Sequence, residues 1–144
     1  MSNFFYNLGR QLGRGAIPAI RQSKVIWNGL TGTEEDMLRA ERALGSALAV
    51  KLRASTEPSG DPQNAEMANE LCRRMAARLK NSRRTFHCEV TRSDIPSGMA
   101  LPGGFIFLSD SLFDLCERHP NELAFVIGHE MAHVVRGHTR DRMV

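Results

Sequence analysis

Apolar residues recur at helical spacing in three stretches of the chain and alternate in one. The first stretch is a stripe of Met37, Leu44, Leu48 and Leu52, with Ala40 and Ala47 beside it, and it predicts a helix. Thr33 stands three residues before Asp36 in the spacing of a capping box, so the helix starts there. Glu34, Glu35 and Asp36 suit its positive N-terminus. The expected role is a core-facing or partner-facing helix without chemistry. From Ser55 to Pro62 the chain is rich in breakers and is expected to be a linker. Asp61 as N-cap and Pro62 at the first helical position open a second helix, with Ala68, Leu71, Cys72, Met75 and Leu79 as its buried stripe. Residues 85–91 alternate, with Phe86, Cys88 and Val90 on one side and His87 and Glu89 on the other, which predicts a half-buried strand. Met99 to Leu101 is a short extended piece, and Phe105 to Leu108 is an apolar strand. Gly103 and Gly104 let the chain reverse between them. Ser109 caps a short helix holding Leu112, Phe113, Leu115 and Cys116. Pro120 and Glu122 open a last helix that is apolar on most faces and is expected to be largely buried. Helices on a small antiparallel or mixed sheet make this an α+β chain.

Composition narrows the class. The chain has 144 residues, 42% hydrophobic and 24% charged, which suits one modest globular core. Its net charge of +3 is uneven: residues 1–33 carry Arg10, Arg14, Arg21 and Lys24 and no acid, leaving 15 basic and 16 acidic residues in the remainder. Arg73, Arg74, Arg78, Lys80, Arg83 and Arg84 make the second helix's far side and exit basic. No aromatic residues interleave with them for base stacking, so a solvated face is expected and no nucleic-acid partner. The arm 1–33 has three readings: a segment packed on the domain, an amphipathic segment for an anionic membrane surface, or an organelle transit peptide. Cys72, Cys88 and Cys116 are odd in number and form no C-x-x-C pair, which argues against a disulfide framework and for a reducing, cytoplasmic setting. No run approaches the roughly 18 apolar residues of a membrane span. Asn7, Gly9, Arg10 and Gln11 interrupt any signal-peptide core.

The chemistry sits on the last helix, in Gly128-His129-Glu130-Met131-Ala132-His133. Two histidines four apart stand on one helix face, where both imidazoles can grip one zinc ion. Glu130 follows the first and can act on water as a general base, the H-E-x-x-H arrangement of zinc peptidases. A hydrogen-bonded His–Glu cluster without metal is the plainer alternative. At about 100° per residue, His133 lies roughly 40° round the helix from His129 and His138 roughly 180° round, so His138 is expected to be structural. Arg136 and Thr139 stand where a three-histidine zinc motif needs Gly and His, which excludes that class. A catalytic zinc takes three protein ligands. Asp141 lies roughly 120° round from His129 on the same helix and is badly placed, and nothing marks Asp110, Asp114 or Glu122 as a ligand.

The run Gly98-Met99-Ala100-Leu101-Pro102-Gly103-Gly104-Phe105-Ile106-Phe107-Leu108, followed by Asn121 to His138 with its Glu122-Leu123-Ala124 start, resembles the HtpX-like and CaaX-prenyl-protease-type metallopeptidases of family M48. It is nearest to the branch with the Oma-type and Bep-type quality-control proteases, over roughly residues 62–142. The resemblance implies a zincin-like fold with the active-site helix near the C-terminus. It also implies a gluzincin site: one zinc on His129 and His133, Glu130 as general base, and a third ligand, a glutamate on a downstream helix outside this sequence. It implies that Met99, Ala100, Leu101, Pro102 and Gly103 bind an extended protein or peptide substrate by β-addition. Ser97-Gly98 stands where the family usually has Asn-Ala. The expected divisions are a basic arm 1–33, a helix and linker 34–60, and the N-terminal portion of a metallopeptidase domain 61–144. The expected function is zinc-dependent endoproteolysis in protein quality control. The rival expectations are a latent peptide-binding domain with weak zinc binding and a membrane-surface adaptor working through residues 1–33. Oligomeric state is not legible.

Overall fold

A computed structural model describes residues 33–80 and 83–137. The arm 1–33 up to residue 32, together with His138 and Asp141, lies outside the described residues. In chain order the elements are α1 (Glu34–Ser55), α2 (Pro62–Ala76), β1 (His87–Thr91), β2 (Gly98–Leu101), β3 (Phe105–Ser109), α3 (Asp110–Leu115) and α4 (Pro120–Val135). The α+β class follows directly, as helices packed on a three-stranded mixed sheet of order β1-β3-β2.

Both helix starts follow from their caps. Thr33 accepts from the Asp36 N–H at 3.3 Å, and its own hydroxyl donates to the Asp36 carboxylate. Asp61 accepts from the Gln63 N–H at 2.9 Å, with Pro62 needing no N–H partner at the first helical position.

The sheet is covered on both faces, and strand alternation decides what goes where. Cys88, Val90, Ala100, Ile106 and Leu108 point to one side. There they share a core with Ala68, Leu71 and Cys72 of α2 and with Leu123, Ile127, Met131 and Val134 of α4. Leu101 and Phe107 point to the other side, against Leu44, Leu48, Ala49 and Leu52 of α1, with Met99 and Phe105 packed alongside. β1 runs parallel to β3 in the register Cys88 to Ile106 and Val90 to Leu108. β2 is antiparallel to β3, with Met99 opposite Phe107 and Leu101 opposite Phe105. The reversal between them needs two left-handed residues, and Gly103 and Gly104 take φ of 82° and 93°.

Three expectations change here. The stretch from Ser55 to Pro62, read as a linker, lies on β1: Ser59 donates its N–H to the Val90 carbonyl at 2.9 Å, and Arg92 donates to the Glu57 carbonyl at 2.8 Å. Residues 57–59 thereby cover the end of an edge strand that would otherwise be open. Arg84, read as part of a solvated face, pairs at 3.2 Å with Glu41, a carboxylate buried beneath α1. Met37, read as part of the apolar stripe, is 41% exposed, so the buried seam of α1 begins at Leu44.

Candidate active site

Helix α4 has two unlike sides. Leu123, Ile127, Met131 and Val134 are fully buried at i, i+4, i+8 and i+11, the spacing of a single helix face. On the opposite side Phe125 is 74% exposed and His129 and Ala132 are exposed, with Glu130 and His133 half-buried at the margin. The expectation of a largely buried helix is therefore corrected to one buried face. Apolar composition cannot distinguish a side with a covering layer from a side without one.

The motif histidines converge. The Nε2 atoms of His129 and His133 are 3.0 Å apart, and the two rings meet edge to face with centroids 4.6 Å apart. Two imidazoles on a tetrahedral zinc with bonds near 2.05 Å have nitrogens about 3.3 Å apart. The pair is thus a few tenths of an ångström from the span that a shared ion requires. The donors are also the chemically suitable ones, since neutral imidazole nitrogen is a common zinc ligand. Phe125, one turn before His129, lies nearly parallel to its ring at a centroid distance of 6.5 Å. The sequence does not mark Phe125, because an aromatic among Leu123, Val126 and Ile127 reads as core.

Glu130 faces the sheet edge. A methyl group placed on Gly98 would lie 3.7 Å from Glu130 Cγ and 3.4 Å from Val126 Cγ1, so the first residue of β2 lies against the side chain of the motif glutamate. Among the described residues no strand pairs with the outer edge of β2. Ser97 donates its N–H to Ser109 Oγ at 2.9 Å and accepts from the Ser109 N–H at 3.0 Å. Alternation along an antiparallel ladder then directs Met99 and Leu101 to β3, and turns the N–H and C=O groups of Gly98 and Ala100 outward.

The stretch 99–103 divides accordingly. Met99 is half-buried at the edge, while Ala100, Leu101, Pro102 and Gly103 are buried, the last three under α1. Buried in this way, the stretch presents outward chiefly the backbone of Gly98 and Ala100 at the edge of β2.

Among the described residues no group of three or more His, Cys, Asp or Glu side chains could hold a metal ion. The acids considered from sequence have other surroundings. Asp110 accepts hydrogen bonds from the Ser59 hydroxyl, the Gly60 N–H and the Asn64 amide, which tie the 57–61 segment to α3. Glu122 lies beside the Cys116 thiol, whose acidity falls through burial and then through that carboxylate. Cys72, Cys88 and Cys116 are buried free thiols, and the hydrogen bond with Cys72, followed by burial, pushes the Cys88 thiol strongly up. None of these thiols is placed to ligate at the histidine pair.

Residues 62–144 match peptidase family M48. Over 98 residues the chain is 32% identical to the Beta-barrel assembly-enhancing protease of Yersinia pestis, a match covering 68% of this chain and 20% of that protein. The chain thus spans about a fifth of the length of the curated relative it matches.

Proposed function

This chain belongs to peptidase family M48, and we propose that it carries the larger part of a zinc-dependent endopeptidase site that cleaves extended protein segments. The observation carrying the proposal is the juxtaposition of the His129–His133 pair with Glu130, itself against the start of the free edge of β2. His129 and His133 supply two protein ligands, and the third is a carboxylate from outside the described residues. Zinc bound there supplies Lewis-acid polarisation of a carbonyl and makes water acidic near neutral pH.

The chain's own residues do the remaining work. Gly98 and Ala100 exchange backbone hydrogen bonds with the substrate strand, which fixes its register without regard to side chains. The carboxylate of Glu130 takes a proton from the attacking water and delivers it to the nitrogen of the leaving amine. Half-burial keeps that carboxylate beside the substrate edge and away from bulk solvent. Backbone pairing suits unfolded or misassembled chains, consistent with a role in protein quality control. The Yersinia relative is by name a protease that enhances β-barrel assembly, which supports a role beside protein assembly.

A second reading is favoured by the two-histidine donor set: a latent domain that binds peptide along β2 and holds zinc weakly. One experiment separates the two. The protein encoded by the full reading frame, as wild type and as Glu130→Gln, is incubated with an unfolded casein. The peptidase reading expects cleavage by wild type and a loss of at least about 10²-fold in the variant, as for removal of a general base. Equal cleavage by both would remove Glu130 from the mechanism, and binding without cleavage by wild type would favour the latent domain.

A further inference from the structure

Helix α1 precedes the residues that match the family, yet it meets the turn that follows β2 through backbone atoms. A methyl group on Gly45 would lie 1.6 Å from the Pro102 carbonyl oxygen, 2.7 Å from its carbonyl carbon and 3.0 Å from the Phe105 ring. From the other side, a methyl on Gly103 would lie 2.8 Å from Arg42 Cα and 3.2 Å from the Glu41 carbonyl oxygen. Helix and turn therefore meet backbone to backbone across the helical turn from Glu41 to Gly45. The same turn of helix is pinned by the buried Glu41, 4% exposed, through its pair with Arg84 just before β1. Glycine inside a helix is less favourable than alanine, so propensity does not explain Gly45. The close approach to Pro102 does.

We infer that Gly45 is a positioning residue for substrate binding, and that α1 sets the height of strand β2 relative to Glu130. The inference rests on the peptidase reading for its functional consequence. β2 is only four residues long and is held at both ends. At Gly98 it is tied by the Ser97–Ser109 hydrogen bonds, and at Leu101 it runs into the Pro102–Gly103 turn on which Gly45 sits. Leu101 and Met99 pack toward α1, so the outward-facing backbone of Gly98 and Ala100 takes its position from that helix. A side chain at position 45 would have to move from 1.6 Å to at least 3.0 Å from the Pro102 oxygen, separating helix and turn by about 1.4 Å. Misplacement of a bound substrate by about 1 Å costs on the order of 10²-fold in rate.

The test compares wild type, Gly45→Ala and Leu112→Ala in the full-length protein. Leu112 is buried in the core on the other face of the sheet, away from α1 and the Pro102 turn, so Leu112→Ala measures loss of stability alone. Three readouts are taken: hydrogen exchange of the segment 98–103, kcat/KM on a peptide, and zinc content. Gly45→Ala is expected to speed exchange across 98–103 by about tenfold or more, with the segment 129–135 and zinc content unchanged. It is also expected to lower kcat/KM by about 10²-fold. Leu112→Ala is expected to lower Tm yet keep kcat/KM within about threefold of wild type. Wild-type exchange and kcat/KM in Gly45→Ala would overturn the inference, as would equal kcat/KM losses in the two variants at equal Tm. If Gly45→Ala does not fold, Glu41→Gln, which loosens the same turn of helix, is read by the same criteria. If wild type cleaves no peptide, the peptidase reading fails, and exchange across 98–103 still decides whether Gly45 positions the strand.

Discussion

At Asp61 a single carboxylate closes one helix and ties down another part of the chain. It accepts from the Gln63 N–H and from the Arg118 guanidinium, and these two bonds, the backbone one first, hold its carboxyl below its ordinary value. A carboxyl whose folded value is depressed stabilises the fold above its unfolded value, about 3.9, and that contribution is lost as pH falls through the folded value. Asp61→Ala is therefore expected to melt at a lower temperature than wild type at pH 7, with the gap narrowing as pH falls below the unfolded value and through the folded one. Thermal melts across an acid series check this, and a gap independent of pH would contradict it. Individual residues were legible from sequence where placement is tied to fixed spacing, as in the approach of His129 to His133 and at the caps Thr33 and Asp61. Gly45 and Glu41 were not, because their roles depend on which backbone lies against them. No periodicity within α1 announces the Pro102 carbonyl.

Among the elements, α1 shows how a bland amphipathic stripe becomes half of a core. Leu48 is 3% exposed between Leu44 and Leu52, against Leu101 and Phe107 of the sheet. Leu48→Ala is expected to cost about 2–5 kcal/mol in urea unfolding, with the midpoint lowered and the slope unchanged. A loss under about 0.5 kcal/mol would mean that α1 is not packed on the sheet in solution, since surface substitutions fall in that range. The strands were legible from alternation and from the glycine pair. The parallel pairing of β1 with β3 was not, because it joins segments 18 residues apart in register, as His87 with Phe105, across the intervening strand β2, and pairing between strands that are not sequence neighbours leaves no local mark. The 57–59 segment escaped for a related reason. Ser-Pro-Gly composition marks a break in regular structure, and edge pairing of the kind seen at Ser59 and Val90 leaves no separate mark.

For the whole molecule, the two covered faces of the sheet divide the work. α2 and the sheet bury one face of the motif helix α4, α1 braces the turn after β2 from the other face of the sheet, and the edge of β2 left open among the described residues starts beside Glu130. No helix among the described residues is long and apolar enough to cross a membrane. Among the described residues no third His, Cys, Asp or Glu joins the histidine pair. The central claim is that His129 and His133 hold the metal on which Glu130 depends. Its most direct test is metal analysis of the protein from the full reading frame, purified as wild type, Glu130→Gln, His129→Ala and His133→Ala. About one zinc per chain is expected in wild type and in Glu130→Gln, and less than about a tenth in each histidine variant, since the loss of one ligand from a three-ligand site removes tight binding. Full zinc occupancy in either histidine variant would contradict the account.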